Sequence, residues 1–159
     1  MKKVMFIAST GGHLDELLQL APCFNNYNYS IVTEKTKSNI GLKNKYGKRV
    51  HYIISGSYTN LGAKIVYPFK LFLNCWISLF LMIKLRPDVV VTTGSHNVGP
   101  MCCLAKIFRK KVVFIETFAN RLAPTKAGKI IYKFADVFIV QWEEMLKFYP
   151  NAIYGGWIY

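Results

Sequence analysis

The sequence predicts an α/β fold in which one parallel sheet is wound on both faces by helices. Two observations carry this. Runs of Val, Ile and Phe without polar alternation mark strands buried on both sides. Segments with helical spacing separate them, so strand and helix alternate along the chain. A length of 159 residues fits one domain, residues 1–159, and 52% hydrophobic content can bury a core, which excludes a disordered chain.

The elements follow in order. "KVMFIA" (3–8) reads as a buried strand. Leu14, Leu17, Leu18 and Ala21 recur at helical spacing, and Pro22 should close that helix. "YSIVTE" (29–34) is a second strand. Residues 35–49 are polar and basic, and read as an exposed loop. "VHYIIS" (50–55) is a third strand, followed by a turn at 56–60. Residues 61–85 are mostly apolar. "PDVVVTTG" (87–94) is a strand entering a glycine loop, and 98–108 a helix with Pro100 in its first turn. "KVVFIE" (111–116) and "DVFIVQ" (136–141) are strands around a helix at 125–135. A helix at 142–149 and a short strand or turn at 152–156 complete the chain. This is the pattern of a doubly wound, Rossmann-like parallel sheet.

Lys and Arg number 21 against 8 Asp and Glu, a net charge of +13 that implies an anionic partner. The basic residues are scattered and no RNA or DNA motif interleaves them, so nucleic acid is not expected. Cys23, Cys75, Cys102 and Cys103 lack CxxC spacing and read as buried free thiols. His13, His51 and His96 lie far from one another and from paired cysteines, so no metal site is expected. Val4 to Ala8 is too short for a secretory apolar region, which leaves the cytoplasmic side as the default.

Ligands of such folds sit beyond the carboxyl ends of the strands. Two loops there share a chemistry, glycine beside Ser or Thr, then histidine, then a helix start: "STGGHLDE" and "TTGSHNVGP". Glycine admits close backbone approach, and a helix amino end presents free N–H groups to an anion. Neither loop is GxGxxG or GK[ST], which disfavours NAD and ATP. Thr10, Gly11, Gly12 and His13 from the first, with Gly94, Ser95, His96, Asn97 and Gly99 from the second, are the candidate phosphate or diphosphate ligands. His13 could contact a phosphate or take a proton from a hydroxyl, or cap its helix. Glu116 ends an apolar strand at the same edge and is a second candidate base; its alternative is an ion pair with Arg121 or a lysine. Asp15 and Glu16 are explained by the helix dipole.

A membrane span needs about 20 apolar residues. Lys64, Pro68 and Lys70 interrupt the apolar stretch, and its clean run from Leu71 to Ile83 is 13 residues. Residues 61–85 therefore read as a buried crossover helix or as an interfacial helix. In the second case Phe69, Phe72, Trp76 and Phe80 insert, and lysines meet the headgroups. Apolar residues on nearly every side favour membrane contact.

"TGGHLDELLQL", "PDVVVTTGSHNVGP", "VVFIETFANR" and above all "KAGKIIYKFADVFIVQWEEMLKFYPNAIYGGWI" resemble one family. It is the accessory subunit of the split N-acetylglucosaminyltransferase that extends dolichol-linked oligosaccharides. Closer still are its bacterial relatives of the PssD/CpsF type in capsule and exopolysaccharide synthesis. The resemblance covers nearly the whole chain. It implies the amino-terminal, acceptor-binding half of a GT-B glycosyltransferase, without a second Rossmann domain after Tyr159. It further implies a hexosyltransferase subunit inactive alone. The family would bind a polyprenyl-diphosphate-linked saccharide at the two glycine loops, with His13 or Glu116 as base. A separate subunit would supply the UDP-sugar, with no cofactor or metal held here. Tyr154, Gly155, Gly156, Trp157, Ile158 and Tyr159 match the tail that docks on that partner. Eukaryotic members carry an amino-terminal transmembrane helix, whereas this chain starts at its first strand. Attachment is therefore expected to be peripheral or monotopic, on the cytoplasmic face, through residues 61–85 and the basic surface. The alternative role is a non-catalytic anchor and activator.

Overall fold

A computed structural model describes residues 1–56 and 61–158, with the backbone alone for 61–64 and His96. Most of the expected turn at 56–60, and Tyr159, lie outside them.

Seven parallel strands form one sheet: β1 (Lys3–Ala8), β2 (Asn28–Glu34), β3 (Val50–Ile53), β4 (Val89–Thr92), β5 (Lys111–Ile115), β6 (Val137–Val140) and β7 (Ile153–Tyr154). Their order is β3-β2-β1-β4-β5-β6-β7. The chain winds outward from β1 through β3, then returns to the other side of β1 with β4. The crevice between β1 and β4 is therefore the topological switch point, where ligands of this fold bind. Val4 pairs with Tyr29 on one side and Val89 on the other. Residues 4–8 are all buried, which explains the unbroken apolar run.

The two sheet faces divide the core. Val4, Phe6 and Ala8 pack with Leu14, Leu17 and Phe24 under α1 (Gly12–Gln19) and α2 (Ala21–Phe24). Met5 and Ile7 pack with Leu81, Met82, Met101 and Ile131 under α4 (Leu61–Leu85), α5 (Gly99–Ile107) and α6 (Lys126–Ile131).

Several local expectations change. Pro22 does not end a helix; it occupies the first turn of α2, where its missing N–H is harmless. The 35–49 segment contains α3 (Leu42–Tyr46), because Leu42 and Tyr46, four apart, dock on the α1 face of the sheet. The expected helix at 142–149 is a 3-10 turn, Glu143–Lys147. Only Cys102 is buried. Its neighbour Cys103 is exposed, with Cys23 and Cys75, because adjacent residues on a helix face different directions.

Helix α4 is continuous through Pro68. Its 25 residues extend about 37 Å at the α-helical rise. Ile65–Leu85 alone is long and apolar enough to cross a membrane by length and composition, contrary to the estimate from the clean run. Yet one side is fixed to the sheet. Asn74 and Ser78 are fully buried there, beside Leu81 and Met82. The Asn74 amide donates to the Ile54 carbonyl (2.9 Å) and accepts the Ile54 N–H (2.8 Å), closing the peptide just past β3. The opposite side exposes Ile65, Phe69, Phe72, Trp76, Phe80 and Ile83, at spacings of three and four. The helix is thus inside out: amide and hydroxyl inward, aromatic rings outward.

Candidate functional site

At the carboxyl end of β1, Gly11 takes φ +84°, which lets the chain leave the strand and start α1 at once. No side chain caps α1, so the first-turn N–H groups that a helix leaves unpaired, those of Gly12 and His13, stay available to a ligand. A Cβ on Gly11 or Gly12 would meet nothing within 4 Å, so the space before them is open.

Next to this loop lies the one that follows β4. The Thr93 hydroxyl donates to the His13 carbonyl (2.6 Å), and His13 Nδ1 lies 2.9 Å from the Thr93 carbonyl. A carbonyl only accepts, so Nδ1 carries the proton. In the neutral ring this leaves Nε2 as the basic nitrogen. Gly94 takes φ +103°, which favours glycine, and a Cβ there would stand in contact with the imidazole at 3.4 Å. The two glycine loops are therefore brought together and interlocked. Thr10 meets the Thr36 hydroxyl at 3.3 Å, at the end of β2.

The other expected ligands divide. Gly99 opens α5 with Pro100 behind it, giving a second uncapped helix start. Ser95 is half-buried in the loop. The backbone of His96 is in the 3-10 turn His96–Val98, and its side chain is outside the described residues. Asn97 turns inward: it is 4% exposed, and its amide donates to the Glu34 carboxylate.

Glu116 also turns inward. It is 1% exposed, and its carboxylate accepts the hydroxyls of Tyr149 (2.8 Å) and Thr125 (2.9 Å) and the Thr117 N–H (3.2 Å). Thr125 in turn accepts from Gly128 at 2.8 Å, capping α6. A Cβ on Gly128 would strike both Glu116 and Tyr149, so glycine is required for α6 to approach. Burial, then the Glu116 charge, pushes the Tyr149 hydroxyl above the usual phenol range. The carboxylate thus locks a joint between β5 and α6, and His13 is not among its hydrogen-bond partners. Arg121, one of the alternative ionic partners, pairs with Glu144 and packs over Trp142.

Two carboxylates that sequence reasoning passed over share this work. Glu34, 3% exposed at the end of β2, accepts from Ser55 (3.2 Å), Gly56 N–H (3.4 Å) and Asn97, so it holds the second glycine loop from behind. Its signal was present: like Glu116, it ends an apolar strand. Glu16 is more than a dipole partner. Its Oε1 accepts the Thr117 hydroxyl (2.7 Å) and the Phe118 N–H (3.0 Å), tying α1 to the loop after β5. The carboxylates at this edge brace the loops, and the first N–H groups of α1 carry no side-chain cap. That arrangement suits an anion.

Phe118 connects the site to the tail. Its ring lies between Trp142 (4.6 Å) and Trp157 (5.2 Å), and its carbonyl accepts the Trp142 indole N–H. Gly155 bonds back to Val140, Gly156 turns at φ +63°, and the Ile158 N–H reaches Gln141. Tyr154 and Trp157 remain exposed on the edge beside β7. On the other side, an apolar groove of about 500 Å³ begins at Gly99 and Pro100 and runs between α4, α5 and α6 past Leu71, Cys75 and Ile130. Phe69, Phe72, Trp76 and Phe80 stand exposed along α4.

Among known proteins, the mouse UDP-N-acetylglucosamine transferase subunit ALG14 is 24% identical over 97% of this chain and 82% of its own length. The human subunit is 25% identical over 96% and 81%. A Buchnera aphidicola UDP-N-acetylglucosamine–N-acetylmuramyl-(pentapeptide) pyrophosphoryl-undecaprenol N-acetylglucosamine transferase is 29% identical over 86% of this chain, which spans 39% of that enzyme. Of solved structures, Acinetobacter baumannii MurG superposes with a TM-score of 0.73 at 20% identity, over 91% of this chain and 43% of that one. Rickettsia bellii UDP-N-acetylglucosamine 2-epimerase gives 0.70 at 20%, over 94% and 41%. The described sheet therefore has the fold of the amino-terminal half of a GT-B protein and spans under half of either structure. The family described as "Oligosaccharide biosynthesis protein Alg14 like" matches residues 4–158, and this chain belongs to it.

Proposed function

We propose that this chain is the membrane-associating, acceptor-binding subunit of a two-component inverting glycosyltransferase. A partner subunit holds a UDP-sugar, and the sugar passes to a saccharide on polyprenyl diphosphate, in capsular or exopolysaccharide synthesis at the cytoplasmic face. The observation that carries this reading is the pair of interlocked glycine loops at the switch point, beside a helix that presents aromatic rings to the outside. Relatives named as subunits of a UDP-N-acetylglucosamine transferase support the division of labour. They also make UDP-N-acetylglucosamine the first donor to test.

In this mechanism the N–H groups of Gly12 and His13 and the start of α5 hold the acceptor diphosphate. The groove from Gly99 takes the adjoining lipid. The acceptor hydroxyl oxygen attacks the anomeric carbon from the face opposite UDP. The new C–O bond forms as the bond to UDP breaks, and UDP leaves with the electron pair. The hydroxyl proton goes to His13 Nε2, the nitrogen left basic by the Thr93 bond. Glu116 acts as a brace in this scheme. The tail, Tyr154 to Tyr159, receives the partner.

The inward turn of Glu116 and Asn97 favours one second reading, a non-catalytic anchor and activator. The deciding experiment is transfer from radiolabelled UDP-sugars to membranes bearing lipid-linked saccharide, with this chain, its partner, or both. Transfer only with both supports the split enzyme, and transfer by this chain alone refutes it. Unchanged transfer in a His13→Ala complex would select the anchor reading.

A further inference from the structure

At the sheet edge opposite the glycine loops, the amino ends of β1 and β2 and the last turn of α4 enclose a cleft of about 260 Å³. Lys3, Lys48, Arg49, His51 and Lys84 line it, and no carboxylate does. Most of the chain's eight acids are engaged elsewhere. Glu16, Glu34 and Glu116 brace the opposite edge, and Asp136 and Glu144 are in ion pairs. Asp88, the acid beside β1, accepts the Lys3 backbone N–H at 2.9 Å. Among the described residues, none of the four Lys and Arg side chains of the cleft is in an ion pair.

The cleft is also partly organised in advance. The Arg49 guanidinium stacks 4.5 Å from the Tyr29 ring centroid and donates to its hydroxyl at 3.0 Å. These contacts hold the charge in place without cancelling it. Burial first, and then the charges of Lys84 and Lys43, disfavour a proton on His51.

Its position identifies the ligand. Lys84 Nζ lies 5.6 Å from the Phe80 ring centroid, so the cleft shares a wall with the exposed stripe of α4. Phe80 and Ile83, the last residues of that stripe, are 60% and 54% exposed. A surface that receives the stripe brings its headgroups to the mouth of the cleft. We propose that this cleft binds the phosphate of an anionic phospholipid headgroup. The inference rests on the reading that α4 contacts a membrane. Phosphate bound at the end of α4, with the stripe in the interface, would lay the helix along the bilayer. The glycine loops at its other end would then be held near the surface.

The test uses the full chain and phosphatidylcholine vesicles with or without phosphatidylglycerol. Lys48→Ser/Lys84→Ser is compared with Lys37→Ser/Lys45→Ser, which removes equal charge on the segment bearing α3. The cleft pair should weaken binding to anionic vesicles about thirty-fold, the loss expected for two lysines at the surface, and leave neutral vesicles unaffected. The control pair, which does not line the cleft, should lose less than about threefold. Equal losses in both pairs would mean bulk charge alone and overturn the proposal. Glycerol 3-phosphate, followed by the His51 ring resonances, separates the sources. If it saturates the cleft while the two pairs bind vesicles alike, the site is one for a soluble phosphate and the lipid assignment is wrong. Phe72→Ser/Trp76→Ser tests the underlying reading: unchanged vesicle binding there removes membrane contact by α4 itself, whatever the lysines do.

Discussion

Replacing Tyr149 by Phe separates the two roles open to Glu116. The substitution removes one hydroxyl and leaves the ring in place, against Phe138 at 4.5 Å and Tyr132 at 4.9 Å. Glu116 is 1% exposed, so water does not replace the lost donor. A hydrogen bond to a charged group contributes about 1.5–3 kcal/mol. For a chain of this size that lowers Tm by about 3–12 °C. Urea unfolding followed by tryptophan fluorescence should show a lower midpoint with an unchanged slope. Alkaline pH gives a second readout. The folded pKa of Tyr149 is raised above its unfolded value near 10, so above that pH the unfolded chain loses a proton the folded chain keeps. The contribution is present below pH 10 and is lost as pH rises towards the folded pKa, and Tyr149→Phe should remove that part of the alkaline slope. Transfer by the reconstituted pair, assayed below Tm, should stay within about threefold of the native rate in Tyr149→Phe and Glu116→Gln, since a brace contributes none of the ~10²–10⁴-fold of a general base. A Glu116→Gln variant of native stability that loses about a hundredfold in transfer would refute the brace and restore Glu116 as the base.

Other substitutions probe the remaining parts. His13→Ala should lower transfer by about 10²–10⁴-fold while the subunits still co-elute, and unchanged turnover would remove it from the chemistry. Gly94→Ala forces a side chain into φ +103° and against the His13 ring, so it should destabilise the chain by about 1–3 kcal/mol in urea and lower transfer. Phe72 and Trp76 are 57% and 59% exposed. At about 100 Å² of exposed apolar area each and about 25 cal/mol per Å², Phe72→Ser/Trp76→Ser should weaken vesicle binding by at least about a hundredfold. Its melting temperature should not change, because neither ring packs in the core.

The sheet was legible because buried parallel strands leave an apolar record, nearly unbroken in β1, β4, β5 and β6. The glycine loops were legible for a related reason: Gly11 and Gly94 occupy positive φ that few other residues adopt. Side-chain direction was not. "GSHN" reads as four possible ligands, but only tertiary contact with Glu34 turns Asn97 inward. Glu116 stood out as a carboxylate at a strand end, and Glu34 occupies the equivalent position on β2. The partners that turn both inward come from segments 9 to 63 residues away, beyond the reach of any local pattern. In α3, one Leu–Tyr pair four residues apart was hidden among lysines and asparagines. In α4, apolar residues all round left the packed side undetermined. The deciding residues, Asn74 and Ser78, are polar and so point the wrong way under the usual amphipathic rule.

The same contacts suggest why the tail and the first glycine loop belong to one small fold. Glu16 sits one helical turn beyond His13 and grips Thr117 and Phe118. Phe118 is held in turn by the Trp142 indole and stacked on Trp157. A pull on Trp157 therefore reaches α1 through two side-chain contacts, without passing through the sheet. A partner that docks on Trp157 would bear on the helix whose first turn carries His13 and the open N–H groups. In a transferase whose donor and acceptor halves are separate chains, that path could couple assembly to the geometry of the acceptor loop. The loop after β5 is tied to α1 by the Glu16 carboxylate, the contact that joins it to the helix bearing His13.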